Sequence, residues 1–165
     1  MALITPDLLK TNFRCADSQF GALLLQAGDD LLTEVAAIIN KIRVLIADDH
    51  AAVRQGLRSL LELHDYIEVV GEASNGLEAL DLASRSQPDI VLMDLAMPEM
   101  DGIGATQRIR AISPSTQVIV LTSFSEDEKV RFAVKAGASS YLLKNVSPAD
   151  LIKAIQATYR RYQPE

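Results

Sequence analysis

Apolar positions along this chain fall into two alternating patterns. Short runs of consecutive apolar residues occur at Ile42–Ala47, Ile67–Val70, Ile90–Met93, Val118–Leu121 and Tyr141–Leu143, and their length and composition predict strands. Between them, apolar residues recur at every third or fourth position. That spacing predicts helices over Ala51–Leu63, Gly76–Ser84, Ile103–Ile112 and Glu126–Ala136, the first with Val53, Leu57, Leu60 and Leu61 on one face. Ser113-Pro114 stops the third helix and Gly137 ends the fourth. Ser147 caps a last helix that has Pro148 in its first turn and Leu151, Ile152, Ile155 and Tyr159 on its inner face. Glu68 and Glu72 place the second strand at an exposed edge. Strands alternating with helices through short links predict an α/β parallel sheet covered on both faces, with right-handed crossovers.

Residues 1–41 do not follow this alternation. Phe20–Ala27 is apolar and Gly28-Asp29-Asp30 breaks it; Asp30 then caps a segment in which Leu31, Leu32, Val35, Ile38 and Ile39 form one stripe. No side chain here carries evident chemistry. The expectation is a helical extension packed on the main domain or a partner surface, with a dimerisation helix as the sharper reading. The predicted organisation is an extension over 1–41, the main α/β domain over 42–160 and a tail or linker start over 161–165.

Composition narrows the class. A hydrophobic content of 48% and a charged content of 23% are ordinary for a soluble globular protein. The net charge of −6 disfavours unaided nucleic-acid binding, which needs a basic patch. No apolar run is long enough to span a bilayer, and the first residues lack the basic head and apolar core of a signal peptide. Cys15 is the single cysteine, so no internal disulfide forms; it is expected to fill space, and a reducing cytoplasm fits best. Neither histidine has cysteine neighbours, which argues against zinc.

The candidate chemistry lies at the strand ends. Asp48-Asp49 follow the first strand, Asp94 the third, Thr122-Ser123 end the fourth and Lys144 follows the fifth. In a parallel sheet these ends share one edge, where ligands bind. Pro98 and Asp101-Gly102 turn the chain after Asp94 and start the next helix, which leaves Asp94 on a rigid platform. Three carboxylates at one edge repel, and a hard divalent cation taking oxygen ligands, Mg²⁺ beside a phosphate, balances them. Lys144 supplies a point charge for a phosphate and Thr122 a hydroxyl donor. Together they form a site for moving a phosphoryl group onto Asp94 as nucleophile, by positioning and electrostatics. Taken singly each residue has an ordinary alternative: acids after strands cap helices, Thr122 caps a turn and Lys144 is a surface charge. The combination at successive strand ends favours the functional reading.

Residues 42–160 resemble a response-regulator receiver domain of two-component signalling, of the NarL/FixJ (LuxR-like) subtype. The resemblance rests on Ile42-Arg43-Val44-Leu45-Ile46-Ala47-Asp48-Asp49-His50, Met93-Asp94-Leu95-Ala96-Met97-Pro98, Leu121-Thr122-Ser123 and Gly137–Lys144. It implies a flavodoxin-like (CheY-like) sheet in the order 2-1-3-4-5, with helices on both faces. It also implies that Asp94 accepts phosphate from a sensor histidine kinase. Mg²⁺ would be held by Asp48, Asp49, Asp94 and the main-chain carbonyl of Ala96, and the phosphoryl oxygens by Thr122 and Lys144. Thr122 and Tyr141 would form the switch, Tyr141 rotating inward and changing the surface of the fourth helix, fifth strand and fifth helix. An ordinary half-buried edge aromatic is the alternative for Tyr141.

Three positions depart from the pattern. Asn145 stands where many receivers have a cis proline. Gly104 stands early in the third helix, where glycine costs about 1 kcal/mol against alanine in a helix interior. The helix-turn-helix domain through which this subtype contacts DNA is not in this sequence, so transcription control is expected to need a domain beyond it. A homodimer is an expected partner state. His50, next to the acid pair, invites a catalytic reading, but is expected to begin the first helix beside the site and tune partner contact; His64 is expected to have no special role.

Two other classes compete. A Mg²⁺-dependent aspartyl-phosphate phosphatase of the haloacid-dehalogenase kind needs Asp-x-Asp after the first strand; here Asp48 and Asp49 are adjacent and the best nucleophile follows the third. A phosphorylation-silent receiver would work as an interaction scaffold through residues 1–41, which the intact acids, Thr122 and Lys144 disfavour. No glycine-rich phosphate loop follows the first strand. The expectation is a switch that catalyses its own phosphoryl transfer and dephosphorylation, rather than an enzyme with an external substrate.

Overall fold

The computed structural model describes residues 41–123 and 127–163. The expected extension with its Asp30-capped helix and Cys15, and Glu126 at the start of the fourth helix, lie outside the described residues.

Among the described residues five strands and five helices alternate: β1 (Ile42–Ala47), α1 (Ala51–Glu62), β2 (Ile67–Ala73), α2 (Gly76–Ser86), β3 (Ile90–Asp94), α3 (Gly102–Ile112), β4 (Gln117–Thr122), α4 (Asp127–Lys135), β5 (Ser140–Leu143) and α5 (Pro148–Tyr162). The sheet is parallel and runs β2-β1-β3-β4-β5, the expected order. The strand order reverses between β1 and β3, so their carboxyl ends flank the crevice where such folds bind ligands.

The central strands are apolar without interruption because both of their faces are covered. On β1, Ile42, Val44 and Ile46 turn to one layer with Leu61 of α1 and Leu151, Ile152 and Ile155 of α5. Leu45 and Ala47 turn to the other, with Val91, Met93, Val118 and Val120. The helices over this second layer present alanines, Ala79, Ala83, Ala105 and Ala133, all fully buried, which lets α2, α3 and α4 sit close to the strands.

Several details differ from the sequence-based expectation, and most are shifts of one or two residues at element ends. β2 runs on to Ala73 rather than ending at Val70, because its pairing with β1 shifts register between Val44 and Leu45, skips Val70 and resumes at Gly71. One extra residue absorbed as a bulge keeps the strand paired. Gly71 fits there with the Leu45 side chain 3.2 Å from where a Cβ would stand. α5 continues to Tyr162, two residues past the expected domain end. Gly104 lies in the first turn of α3, where its N–H donates to Asp101 Oδ1 at 2.8 Å, so the interior penalty expected for it does not apply in full.

The caps fall as expected at Ser147, whose hydroxyl accepts from the Asp150 N–H at 3.2 Å. Asn75 caps α2 in the same way through the Glu78 N–H at 2.8 Å. No cis peptide occurs among the described residues, Lys144-Asn145 included.

Candidate functional site

β1 and β3 end side by side, and the acids that follow them are buried in different ways. Asp48 is 1% exposed and Asp94 4%, while Asp49 points outward. Asp94 sits at the last position of β3, and the chain behind it is held tightly. The Gly102 N–H donates to the Leu95 carbonyl at 3.1 Å, and the Gly76 N–H to the Met100 carbonyl at 3.1 Å. A Cβ on Gly102 would stand 2.0 Å from the Asp94 carbonyl oxygen, so only glycine fits. Met97 and Leu95 turn inward beneath the loop, and Glu99 takes a left-handed conformation with φ of 65°. The turn read from Pro98 and Asp101-Gly102 is thus a clamp on Asp94.

Lys144 reaches across the end of β4 to both acids. Its Nζ lies 2.7 Å from Asp48 Oδ2 and 3.2 Å from Asp94 Oδ2. Its backbone N–H donates to the Thr122 carbonyl at 2.8 Å, which locks the lysine to the β4 end. Thr122 is buried beside it. The structure therefore brings Asp48, Asp49, Asp94, Thr122 and Lys144 to one edge. Ala96, exposed, follows two residues after Asp94, its N–H 3.3 Å from Asp94 Oδ1. Tyr141 lies apart from them on the outer strand β5, with half its surface exposed.

The electrostatics divide the two buried acids. Burial works against ionisation of Asp48, but the Lys144 ammonium and the His50 N–H hold its carboxyl below the usual range. Burial works against ionisation of Asp94 as well; Lys144 opposes this, yet the neighbouring Asp48 charge adds to it, and the carboxyl is pushed above its usual range. Burial disfavours the charged Lys144, but its bonds to Asp48 and Asp94 raise its pKa and keep it protonated.

Two residues have more contact with the site than their sequence positions suggest. His50 stands at the cap position of α1, its N–H donating to Asp48 Oδ1 at 2.8 Å. Its ring Nδ1 lies 3.1 Å from Asp48 Oδ1 and 2.8 Å from Asp49 Oδ1. Arg54, one turn into α1, donates from Nη1 to the Asp48 carbonyl at 2.6 Å and faces Glu72 across to β2. A polar cap position following an acid pair was the available signal for His50; nothing local marks Arg54. His64, to which no role was assigned, lies 3.3 Å through Nδ1 from the Tyr66 hydroxyl.

One ligand atom from each of Asp48, Asp49, His50 and Asp94 lies within 4.8 Å of the others. Three carboxylate oxygens at that spacing are the hard donors a Mg²⁺-sized cation takes. Among the described residues, no helix is long and apolar enough to cross a membrane.

Comparison with known proteins gives one family. Residues 44–156 match the response regulator receiver domain. The chain is 51% identical over 116 residues to the transcriptional regulatory protein LiaR of Bacillus subtilis (strain 168), which covers 70% of this chain and 55% of LiaR. It is 49% identical over 122 residues to the uncharacterized transcriptional regulatory protein YhcZ of the same strain, over 74% of this chain and 57% of YhcZ. The chain thus spans little more than half the length of these relatives. A crystal structure of a LuxR-family two-component response regulator from Aurantimonas sp. SI85-9A1 superimposes with a TM-score of 0.70 at 36% identity, covering 74% of this chain and 88% of that one.

Proposed function

This chain belongs to the response regulator receiver domain family, and on that premise we propose that it is a phosphorylation-controlled switch whose phosphoacceptor is Asp94. The observation that carries this reading is the position of Lys144, whose ammonium joins Asp48 and Asp94 from the end of β5, two strands away from β3. An ammonium held on a buried nucleophilic carboxylate is placed to receive the oxygens of an incoming phosphoryl group.

The residues divide the work. An Asp94 oxygen forms a bond to phosphorus as the bond from phosphorus to the donor imidazole nitrogen of a sensor histidine kinase breaks. The electron pair leaves on that nitrogen. Lys144 and the Thr122 hydroxyl bind the phosphoryl oxygens, and the clamp at Gly102 fixes the attacking oxygen. Asp48, Asp49, Asp94 and the Ala96 carbonyl would hold Mg²⁺, which offsets charge on the transferred group. Hydrolysis of the acyl phosphate returns the site to its starting state, so no external substrate is turned over.

The added charge biases a two-state packing change. Thr122 moves toward the phosphoryl group, and Tyr141, now half exposed, rotates inward, which alters the surface of α4, β5 and α5. The two curated relatives are transcriptional regulatory proteins, so the output we assign is transcription control through a DNA-binding domain outside this sequence. The setting is the cytoplasm, with a second copy of the chain as a partner.

Intact-mass measurement after incubation with acetyl phosphate and Mg²⁺ tests this directly. One phosphate adduct is expected, dependent on Mg²⁺ and lost in Asp94→Asn. Folded wild-type protein that takes up no phosphate would overturn the reading and favour a scaffold acting through residues 1–41.

A further inference from the structure

Two acids in succession point to opposite sides of an extended chain, because side chains alternate along a strand. Asp48 and Asp49 nevertheless each bring a carboxylate oxygen within 4.8 Å of one from Asp94. The chain bends just past β1 to allow this, at Asp49. The orientation of the peptide joining the two acids decides where Asp49 points.

That peptide is gripped from outside the acids. Arg54 donates from Nη1 to the Asp48 carbonyl at 2.6 Å. Its guanidinium is itself held in place. Nε lies 3.8 Å from Glu72 Oε1, and the other Glu72 oxygen accepts from Arg58 Nε at 2.8 Å. The Arg54 side chain is 19% exposed, so the group that meets the carbonyl is packed rather than solvated. On the near side the Asp48 N–H donates to the Ala73 carbonyl at 3.0 Å, which keeps Asp48 in line with β1. Because a peptide is planar, fixing its carbonyl also fixes the direction in which the next residue leaves.

We propose that Arg54 is a positioning residue of the phosphoryl-transfer site: through the Asp48 carbonyl it fixes the peptide between Asp48 and Asp49 and so holds both carboxylates toward one cation. This rests on the reading that these acids and Asp94 take Mg²⁺, and it adds what keeps them arranged for it. Arg54 supplies no ligand. Groups that orient ligands from behind are worth a large share of a metal's affinity. The guanidinium charge alone would oppose a second cation, and the Glu72 carboxylate beside it offsets that.

A purely structural tie between α1 and the sheet is the alternative, and it predicts a different outcome. Such a tie would cost stability when cut and leave cation affinity alone. Arg58 provides the comparison. It lies one turn further along α1 and bonds Glu72 and Glu62.

The test is calorimetric titration of the unphosphorylated full chain with MgCl₂, beside the Mg²⁺ dependence of phosphate uptake from acetyl phosphate and urea unfolding of each variant. Wild type, Arg54→Met, Arg54→Lys, Arg58→Met and Asp49→Asn are compared. Arg54→Met is expected to weaken Mg²⁺ about tenfold and to raise the half-saturating Mg²⁺ for phosphate uptake to match, with the rate at saturating Mg²⁺ within about threefold of wild type. Arg54→Lys, which keeps a cationic donor for the Asp48 carbonyl, is expected to recover most of that loss. Arg58→Met is expected to lower stability and to leave Mg²⁺ affinity within about twofold of wild type. Unchanged or tighter Mg²⁺ binding in Arg54→Met, or equal weakening in Arg54→Met and Arg58→Met, would overturn the assignment while the cation site stands. Mg²⁺ binding that survives Asp49→Asn unchanged would overturn the cation-site reading itself, and the role of Arg54 with it.

Discussion

At the carboxyl edge of the sheet three carboxylates gather about one lysine, which pairs with Asp48 and Asp94, while at the amino edge polar groups are tied to one another in closed sets. The Thr116 hydroxyl donates to the Pro88 carbonyl at 2.7 Å and lies 2.7 Å from the Ser113 hydroxyl. Ser139 donates to Gln117 at 2.6 Å, and Arg110 reaches the Pro114 and Thr116 carbonyls at 2.7 and 2.6 Å. The Arg43 N–H donates to Asp89 at 2.9 Å and the Arg43 guanidinium to the Ser86 carbonyl at 2.6 Å. Both edges bury polar atoms, and no buried side-chain polar atom among the described residues lacks a partner. The difference is charge. The amino edge is satisfied by neutral donors and acceptors and by charges facing backbone N–H and carbonyl groups, which stabilises the fold. At the carboxyl edge Asp48, Asp49 and Asp94 outnumber Lys144, and the excess negative charge is the feature a cation would complete.

Substitutions at the two edges should therefore separate stability from phosphate uptake. The largest effect is expected from Gly102→Ala. Its Cβ would meet the Asp94 carbonyl oxygen and the Leu95 Cα at 2.0 and 2.8 Å, and backbone on both sides leaves nothing soft to yield. A loss of about 3 kcal/mol is expected by urea unfolding, with phosphate uptake from acetyl phosphate abolished because Asp94 itself is displaced. Thr116→Val should follow at about 2 kcal/mol, since it strands the Pro88 carbonyl without a donor. Its phosphate uptake should match wild type. Uptake that fell in proportion to stability in Thr116→Val would erase the distinction between the edges.

The sequence and the fold agree most closely where local signals are strong. Runs such as Ile90–Met93 have no polar residue to place them anywhere but the sheet centre, and all five residues of β3 are buried. Asp48, Asp94, Thr122 and Lys144 were legible as a group because parallel strands must end at one edge, whatever the side-chain details. What escaped depends on contacts between distant parts of the chain. The bulge that carries β2 to Ala73 exists only in its pairing with β1. The turn of the His50 ring toward Asp48 and Asp49 is a rotamer choice made against neighbours, and the Arg54 bond to the Asp48 carbonyl requires α1 to be already in place. The amino-edge network joins Pro88 to Thr116 and Gln117 to Ser139, partners more than 20 residues apart. Hydroxyls and amides at strand starts look like ordinary loop residues until those partners are brought together.

The smallest expected effect has the opposite sign and is the sharpest test of the carboxyl edge as a site held at the expense of the fold. Burial raises the Asp94 pKa, with the Asp48 charge adding to it and Lys144 only partly offsetting it. A folded-state pKa above the unfolded value means that the folded protein resists ionising this group. Its contribution is most favourable below the unfolded pKa of about 4 and is lost as pH rises through the folded pKa. Asp94→Asn should thus stabilise the protein at pH 7, read as a rise in Tm over wild type. The gain should shrink as the pH is lowered toward 4, where wild-type Asp94 takes up its proton. Asp48, whose pKa is depressed, should behave in reverse in wild type: its stabilisation holds above about pH 4 and is lost as pH falls through its folded value. Mg²⁺ gives a second lever, because a ligand that binds only the folded state adds stability of RT ln(1 + L/Kd), which grows with its free concentration L. Added Mg²⁺ should raise the Tm of wild type and close the gap to Asp94→Asn. A variant no more stable than wild type at pH 7 without Mg²⁺ would mean that Lys144 fully neutralises Asp94, and that the carboxyl edge is as satisfied as the amino edge.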